Sequence, residues 1–152
     1  MHKPLTGSCQ CGAITYSLNA DPLFTYACHC TDCQKRTGSA FSMGLVIVTD
    51  SLELEGALTA WTRTSDQGNT NTRYSCASCG NIIYGIGQSN PELAKLQAGT
   101  LDDTRTVAPE VHMWTRNKQT WLTLPPGSPQ FETQPDQPVA LLQAALDYRS
   151  GN

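Results

Sequence analysis

A basic surplus is the first thing this sequence of 152 residues lacks. Lys and Arg number 10 against 13 Asp and Glu, a formal charge of −3 with a pI near 5.5. Nothing there neutralises a phosphate backbone, which argues against nucleic acid as the partner. No apolar run reaches the roughly 18 residues a membrane-spanning helix needs. Met1 to Gly7 has no apolar stretch of signal-peptide type, and no Asn-x-Ser/Thr sequon occurs, so a cytoplasmic protein is expected. Charged residues (15%) and aromatics (7%) are scarce, while 39% of the chain is apolar, with 9 Pro and 12 Gly. That balance fits a turn-rich globular domain with one core rather than a disordered chain. No internal repeat of fold size is present.

Helix signals are sparse as well. Residues 12–18 alternate apolar and polar and read as a strand, and Phe41 to Val48 reads as a more buried one. Leu52 to Glu55, Leu58 to Arg63, Thr70 to Tyr74, Ile82 to Tyr84 and Val111 to Thr115 continue the series, with a polar turn over Asp66-Gln67-Gly68-Asn69. Short strands at this spacing predict a mostly β body of sandwich or barrel type. Thr31 to Thr37 predicts one or two helical turns, with Thr31 as N-cap and Gly38 just past the end. Pro138 to Tyr148 predicts a C-terminal helix, with Val139, Leu142 and Leu146 at helical spacing. Ahead of it, residues 125–138 hold five prolines and read as an extended arm. The expected organisation is one domain over 1–124 followed by this arm and helix over 125–152. The helix is expected to pack on its own domain; a homodimer contact is the other option.

The chain is rich in cysteine, with 7 residues in three clusters. In a reducing compartment such a chain reads as metal-binding or catalytic rather than disulfide-stapled, and an odd count cannot pair fully. Cys9-Gln10-Cys11-Gly12 and Cys76-Ala77-Ser78-Cys79-Gly80 both end on glycine, which permits turns whose N–H groups point at sulfur. Together Cys9, Cys11, Cys76 and Cys79 offer four thiolates, a closed structural zinc site whose binding energy is folding energy.

Cys28, Cys30 and Cys33 offer three ligands, and a metal held by three protein ligands keeps a position for water or substrate. Soft thiolates exclude magnesium and calcium. Zinc with three thiolates carries one net negative charge, which suits an incoming thiol better than water. The expectation is two zinc ions per chain, the second catalytic. The alternatives are a second closed site completed by His29, His112 or a partner's residue, a redox pair Cys30 and Cys33, or simply buried cysteines. No thioredoxin-like βαβ pattern surrounds the pair.

At these residues the sequence resembles the glutathione-dependent formaldehyde-activating enzymes and their relatives, which include a centromere-associated animal protein. Gly7 to Tyr16 looks like the family's opening, Cys28 to Ser39 like its middle motif and Cys76 to Gly80 like its closing knuckle. Gly99 to Asp103, Pro109 to His112 and Trp121 resemble later segments. The resemblance implies the same division into structural and catalytic zinc ligands. It implies a zinc-pinned, Mss4-like β-tent. It also implies addition of a thiol such as glutathione to formaldehyde, or the reverse carbon–sulfur lyase step.

The expected chemistry follows from the open position. A substrate thiol displaces water there, its sulfur attacks a carbonyl carbon, and the oxygen needs a proton. His29 and Asp32 are the nearest candidates for that transfer, and His112 is a distant one. Lys35 and Arg36 are candidates for the carboxylates of an anionic thiol, with Ser39 orienting it. Trp61, Trp114 and Trp121 are expected in the core or in pocket walls. The rival expectation is a non-catalytic zinc module that binds a protein partner through the arm and terminal helix.

Overall fold

The computed structural model describes residues 4–66 and 68–151. In chain order the described residues form β1 (Thr6–Ser8), β2 (Thr15–Leu18), β3 (Phe24–Cys28), α1 (Thr31–Thr37), β4 (Ser42–Val48), β5 (Leu52–Glu55), β6 (Leu58–Thr64), β7 (Thr70–Cys76), β8 (Ile82–Gly87), β9 (Leu93–Gln97), β10 (Val111–Met113) and α2 (Val139–Ser150). The fold is mostly β with a short helix between β3 and β4 and a C-terminal one, as the sequence predicts. Contacts divide the chain into two compact units, one of Met1–Leu23 and Leu45–Thr106, the other of Phe24–Gly44 and Val107–Asn152.

In the first unit, β1, β2 and β5 make an antiparallel sheet in which Tyr16 faces Gly7 on one side and Leu54 on the other. β2 alternates strictly: Tyr16 and Leu18 are buried while Thr15 is exposed. The Tyr16 hydroxyl is paired with Thr100 Oγ1 at 2.8 Å, so this buried phenol leaves no orphan polar atom. β6 to β9 form an antiparallel meander beside the last residues of β4. Leu45, Ile47, Ile83, Ala94 and Leu96 are fully buried there. The β7–β8 register shifts at Tyr74 and Ser75, directly before Cys76, so the strand bends as it enters the cysteine turn.

In the second unit, β3 is buried along its whole length and pairs in parallel with β10, Tyr26 opposite Val111 and Cys28 opposite Met113. The pairing continues one residue further, where His29 N–H donates to Met113 C=O at 2.9 Å. Part of the proline-rich stretch lies along β10. His112 N–H donates to Pro129 C=O, and Phe131 N–H to His112 C=O. α2 packs on β3 and β10 and buries Leu141 and Ala145. Its last turn is held by an Arg149–Glu110 ion pair, and the Glu110 carboxylate also accepts the Thr25 N–H at 2.7 Å.

Several expectations need correction. β1, β3 and β9 carry no clear sequence signal and were not expected. The predicted strand over residues 12–18 starts only at Thr15, and the one over Val111 to Thr115 ends at Met113, because Trp114 takes φ 57°. The α1 N-cap is Cys30, not Thr31: the Cys30 sulfur accepts the Cys33 N–H at 3.3 Å. Val139 and Leu146 are exposed on α2, so the apolar spacing marks the helix but not its buried face. Trp61 and Trp121 are exposed, at 57% and 71%, and Trp114 is half-buried. In the predicted polar turn Gln67 lies outside the described residues; Gly68 N–H donates to Ser65 C=O at 2.9 Å.

Candidate metal centres

Both units carry a cysteine cluster, and each cluster lies wholly within its unit. In the first, the Cys9, Cys11, Cys76 and Cys79 sulfurs lie within 4.8 Å of one another. The two contributing turns are built alike. Each closes with a glycine N–H on the carbonyl of its first cysteine, Gly12 on Cys9 and Gly80 on Cys76. Gly12 has φ 81° and Gly80 φ 74°, conformations that a side chain would strain. Backbone N–H groups then point at sulfur: Ile14 to Cys9 at 3.2 Å and Ser78 to Cys76 at 3.4 Å. Asn81 ties the turns together, its Oδ1 accepting the Gln10 N–H at 3.0 Å. Sequence reasoning missed Asn81; its place directly after Cys-Gly was the available signal.

The geometry suits a tetrahedral thiolate site. Zinc–sulfur bonds of about 2.3 Å put tetrahedral sulfurs about 3.8 Å apart. Cys9 and Cys11 are 3.5 Å apart, and Cys11 and Cys76 3.8 Å, so these contacts are far too long for disulfides. Cys9 is lowered to about 6: burial opposes the shift, but the Ile14 amide and the Cys11 and Cys76 thiols outweigh it. Cys11 is raised to about 12, because its bonds to Cys9 and Cys79 overcome the stabilising Ala13 amide.

In the second unit the Cys28, Cys30 and Cys33 sulfurs also lie within 4.8 Å of one another. Cys28 ends β3, and Cys30 and Cys33 sit at the cap and first turn of α1, so one strand-to-helix turn supplies all three. Among the described residues no histidine nitrogen or carboxylate joins this group. Hydrogen bonds from Cys28 and Cys30 hold Cys33 well below the usual thiol range, with Arg36 adding to the effect. The same sharing, together with burial, pushes Cys28 up.

The other expected site residues fall around this cluster. His29 is fully buried, and its Nε2 lies 3.1 Å from His112 Nδ1. His29 is lowered to about 4 by burial, helped by His112 and Lys118; His112 is lowered by burial. The outer nitrogens, His29 Nδ1 and His112 Nε2, have no hydrogen-bond partner among the described residues. Gln34, which the sequence reading did not single out, holds this region together. Its amide donates to His29 C=O and Asn117 C=O and accepts from Gln119. Asp32, Lys35 and Ser39 are exposed. Arg36 instead folds back: its Nη2 donates to Ser42 Oγ at 2.6 Å and lies 3.7 Å from the Cys33 sulfur.

Among the described residues, a mostly β fold with one four-cysteine and one three-cysteine cluster defines a class of β protein whose clusters could hold metal ions. The family model of the glutathione-dependent formaldehyde-activating enzymes matches residues 4–117, and the chain belongs to that family. A relative from Halomonas elongata, named "Putative glutathione-dependent formaldehyde-activating enzyme", is 27% identical over 97% of this chain and 99% of its own length. A protein of the same name from Emericella nidulans is 33% identical over 51% of this chain and 40% of its own length. A crystal structure of a Rhodobacter sphaeroides protein shares the fold, with a TM-score of 0.52 and 18% identity over 83% of this chain and 98% of that one.

Proposed function

We propose that this chain is a zinc-dependent carbon–sulfur lyase or synthase acting on the adduct of a small aldehyde with a thiol, of the S-hydroxymethylglutathione kind. The observation that carries this reading is the three-sulfur cluster, which gathers no fourth protein ligand among the described residues. Cys28, Cys30 and Cys33 would hold the catalytic zinc; Cys9, Cys11, Cys76 and Cys79 would hold a structural one. Zinc bound at the three sulfurs lowers the pKa of a substrate thiol and keeps its sulfur anionic.

In the synthetic direction the carbon–sulfur bond forms as sulfur attacks the aldehyde carbon, and the thiol proton ends on the former carbonyl oxygen. The lyase direction reverses both. His29, uncharged at neutral pH, and the exposed Asp32 are the groups proposed to move that proton. Lys35 and Ser39, exposed on α1 and just beyond it, are proposed to receive the carboxylate of the thiol. The chain is proposed to work in the cytoplasm on small molecules.

The test is exchange between formaldehyde, glutathione and their adduct, followed by NMR with the two-zinc protein. Faster exchange than without protein, abolished by Cys30→Ser, is expected. No acceleration with any thiol would sink the reading and leave a zinc-binding interaction module.

A further inference from the structure

Arg36 sits where a cation changes what the three-sulfur centre can accept. Its Nη2 donates to the hydroxyl of Ser42, a residue 1% exposed, and the same nitrogen lies 3.7 Å from the Cys33 sulfur. The hydrogen bond to a buried hydroxyl at 2.6 Å keeps the side chain from swinging outward. A divalent metal with three thiolates carries one negative charge, and a fourth thiolate would raise it to two. A charge of that size in a half-buried site is costly unless a cation stands beside it. A guanidinium hydrogen-bonded to the ligand sulfur supplies that cation and draws electron density from the sulfur.

We propose that Arg36 is the counter-charge of the Cys28, Cys30 and Cys33 centre, and that it lets this centre take a fourth, anionic sulfur in place of water. Arg36 is thus a positioning residue acting through Cys33, not a receptor for a substrate carboxylate. The part concerning the fourth sulfur rests on the function proposed above; the part concerning the metal does not.

The experiment uses protein carrying two cobalt ions per chain, as wild type, Arg36→Gln and Arg36→Lys, with Arg105→Gln, an exposed arginine outside both cysteine clusters, as control. Each is titrated with 2-mercaptoethanol, which is neutral apart from its thiol, and with 3-mercaptopropionate, which adds a carboxylate. The sulfur-to-cobalt absorption band reports binding. A counter-charge predicts that Arg36→Gln weakens both thiols by a similar factor, roughly tenfold or more, with partial rescue by Arg36→Lys. Loss confined to 3-mercaptopropionate would make Arg36 a carboxylate receptor and overturn the proposal.

Chelator competition on the same proteins separates the two ideas. Arg36→Gln should weaken metal binding at the three-sulfur centre by roughly 10–100-fold and leave the four-sulfur centre unchanged. If the wild type takes up no thiol but the metal loss appears, the proposed function fails and the counter-charge stands. Unchanged metal affinity overturns the counter-charge itself.

Discussion

At the scale of single residues, the histidine pair makes the sharpest demand on the solvent. His29 and His112 are both buried, and both have pKa values lowered in the fold, His29 to about 4 from 6.5. Between those values the unfolded chain binds protons that the native chain refuses. The stabilisation is therefore full above pH 6.5 and is lost as pH falls toward 4. Urea unfolding across this range should show stability falling with acidity, and His112→Gln should make the slope shallower by up to about 1.4 kcal/mol per pH unit, the value for one proton. An unchanged slope would mean that His112 does not titrate with folding. Asn81 is a second residue whose loss should be felt beyond its own contact. Asn81→Ala removes the bond to Gln10 that joins the two cysteine turns. Competition with a chelator should show the four-sulfur metal released more readily, with the three-sulfur metal unaffected. The cysteines were legible in the sequence because their chemistry depends on spacing alone. The contact between His29 and His112, each a candidate on its own, and the roles of Gln34 and Asn81 were not, because each acts through a partner that only the fold brings near.

At the scale of elements, the strands that went unseen share a physical cause. β9 is Leu-Ala-Lys-Leu-Gln, residues of helical preference, yet β8 pairs with it and buries Ala94 and Leu96. Its strand state is imposed by pairing and burial rather than by propensity. β3 lies inside the unit and mixes Thr25 and Ala27 with aromatics, so the alternation of a half-buried strand is missing. The strands that were legible, such as β2 and β5, have one face turned inward, buried in β2 and half-buried in β5, and alternate accordingly. α2 was legible as a helix, but its buried face was not. Leu141 and Ala145 sit in the fold while the better-spaced Val139 and Leu146 face solvent. Leu141→Ala should therefore destabilise the protein by about 2–4 kcal/mol in chemical unfolding, whereas Leu146→Ala should cost well under 1 kcal/mol. Equal effects would mean that α2 does not pack on β3 and β10 as described.

At the scale of the whole molecule, the construction of the two cysteine clusters suits them to the different work proposed for them. Four sulfurs on two matched hairpin turns tie residue 9 to residue 79, so metal there closes a long stretch of chain and stabilises the fold. Three sulfurs on one strand-to-helix turn close almost nothing, so metal there adds little to folding and is available for chemistry. Cys76→Ser should therefore lower the melting temperature sharply, and Cys30→Ser only slightly. The division into two clusters could be read from the sequence because each cluster recurs at a fixed short spacing. What could not be read is which charges stand behind the sulfurs, since Arg36 looks outward-facing on a helix of 7 residues until Ser42 is seen to hold it in. The most direct measurement is metal per chain by elemental analysis, on protein purified under reducing conditions, for the wild type and for Cys30→Ser. About two zincs per wild-type chain and about one in a folded Cys30→Ser are the values this account predicts. About one zinc in both would show that Cys28, Cys30 and Cys33 do not hold a metal, and the open catalytic centre would fall with it.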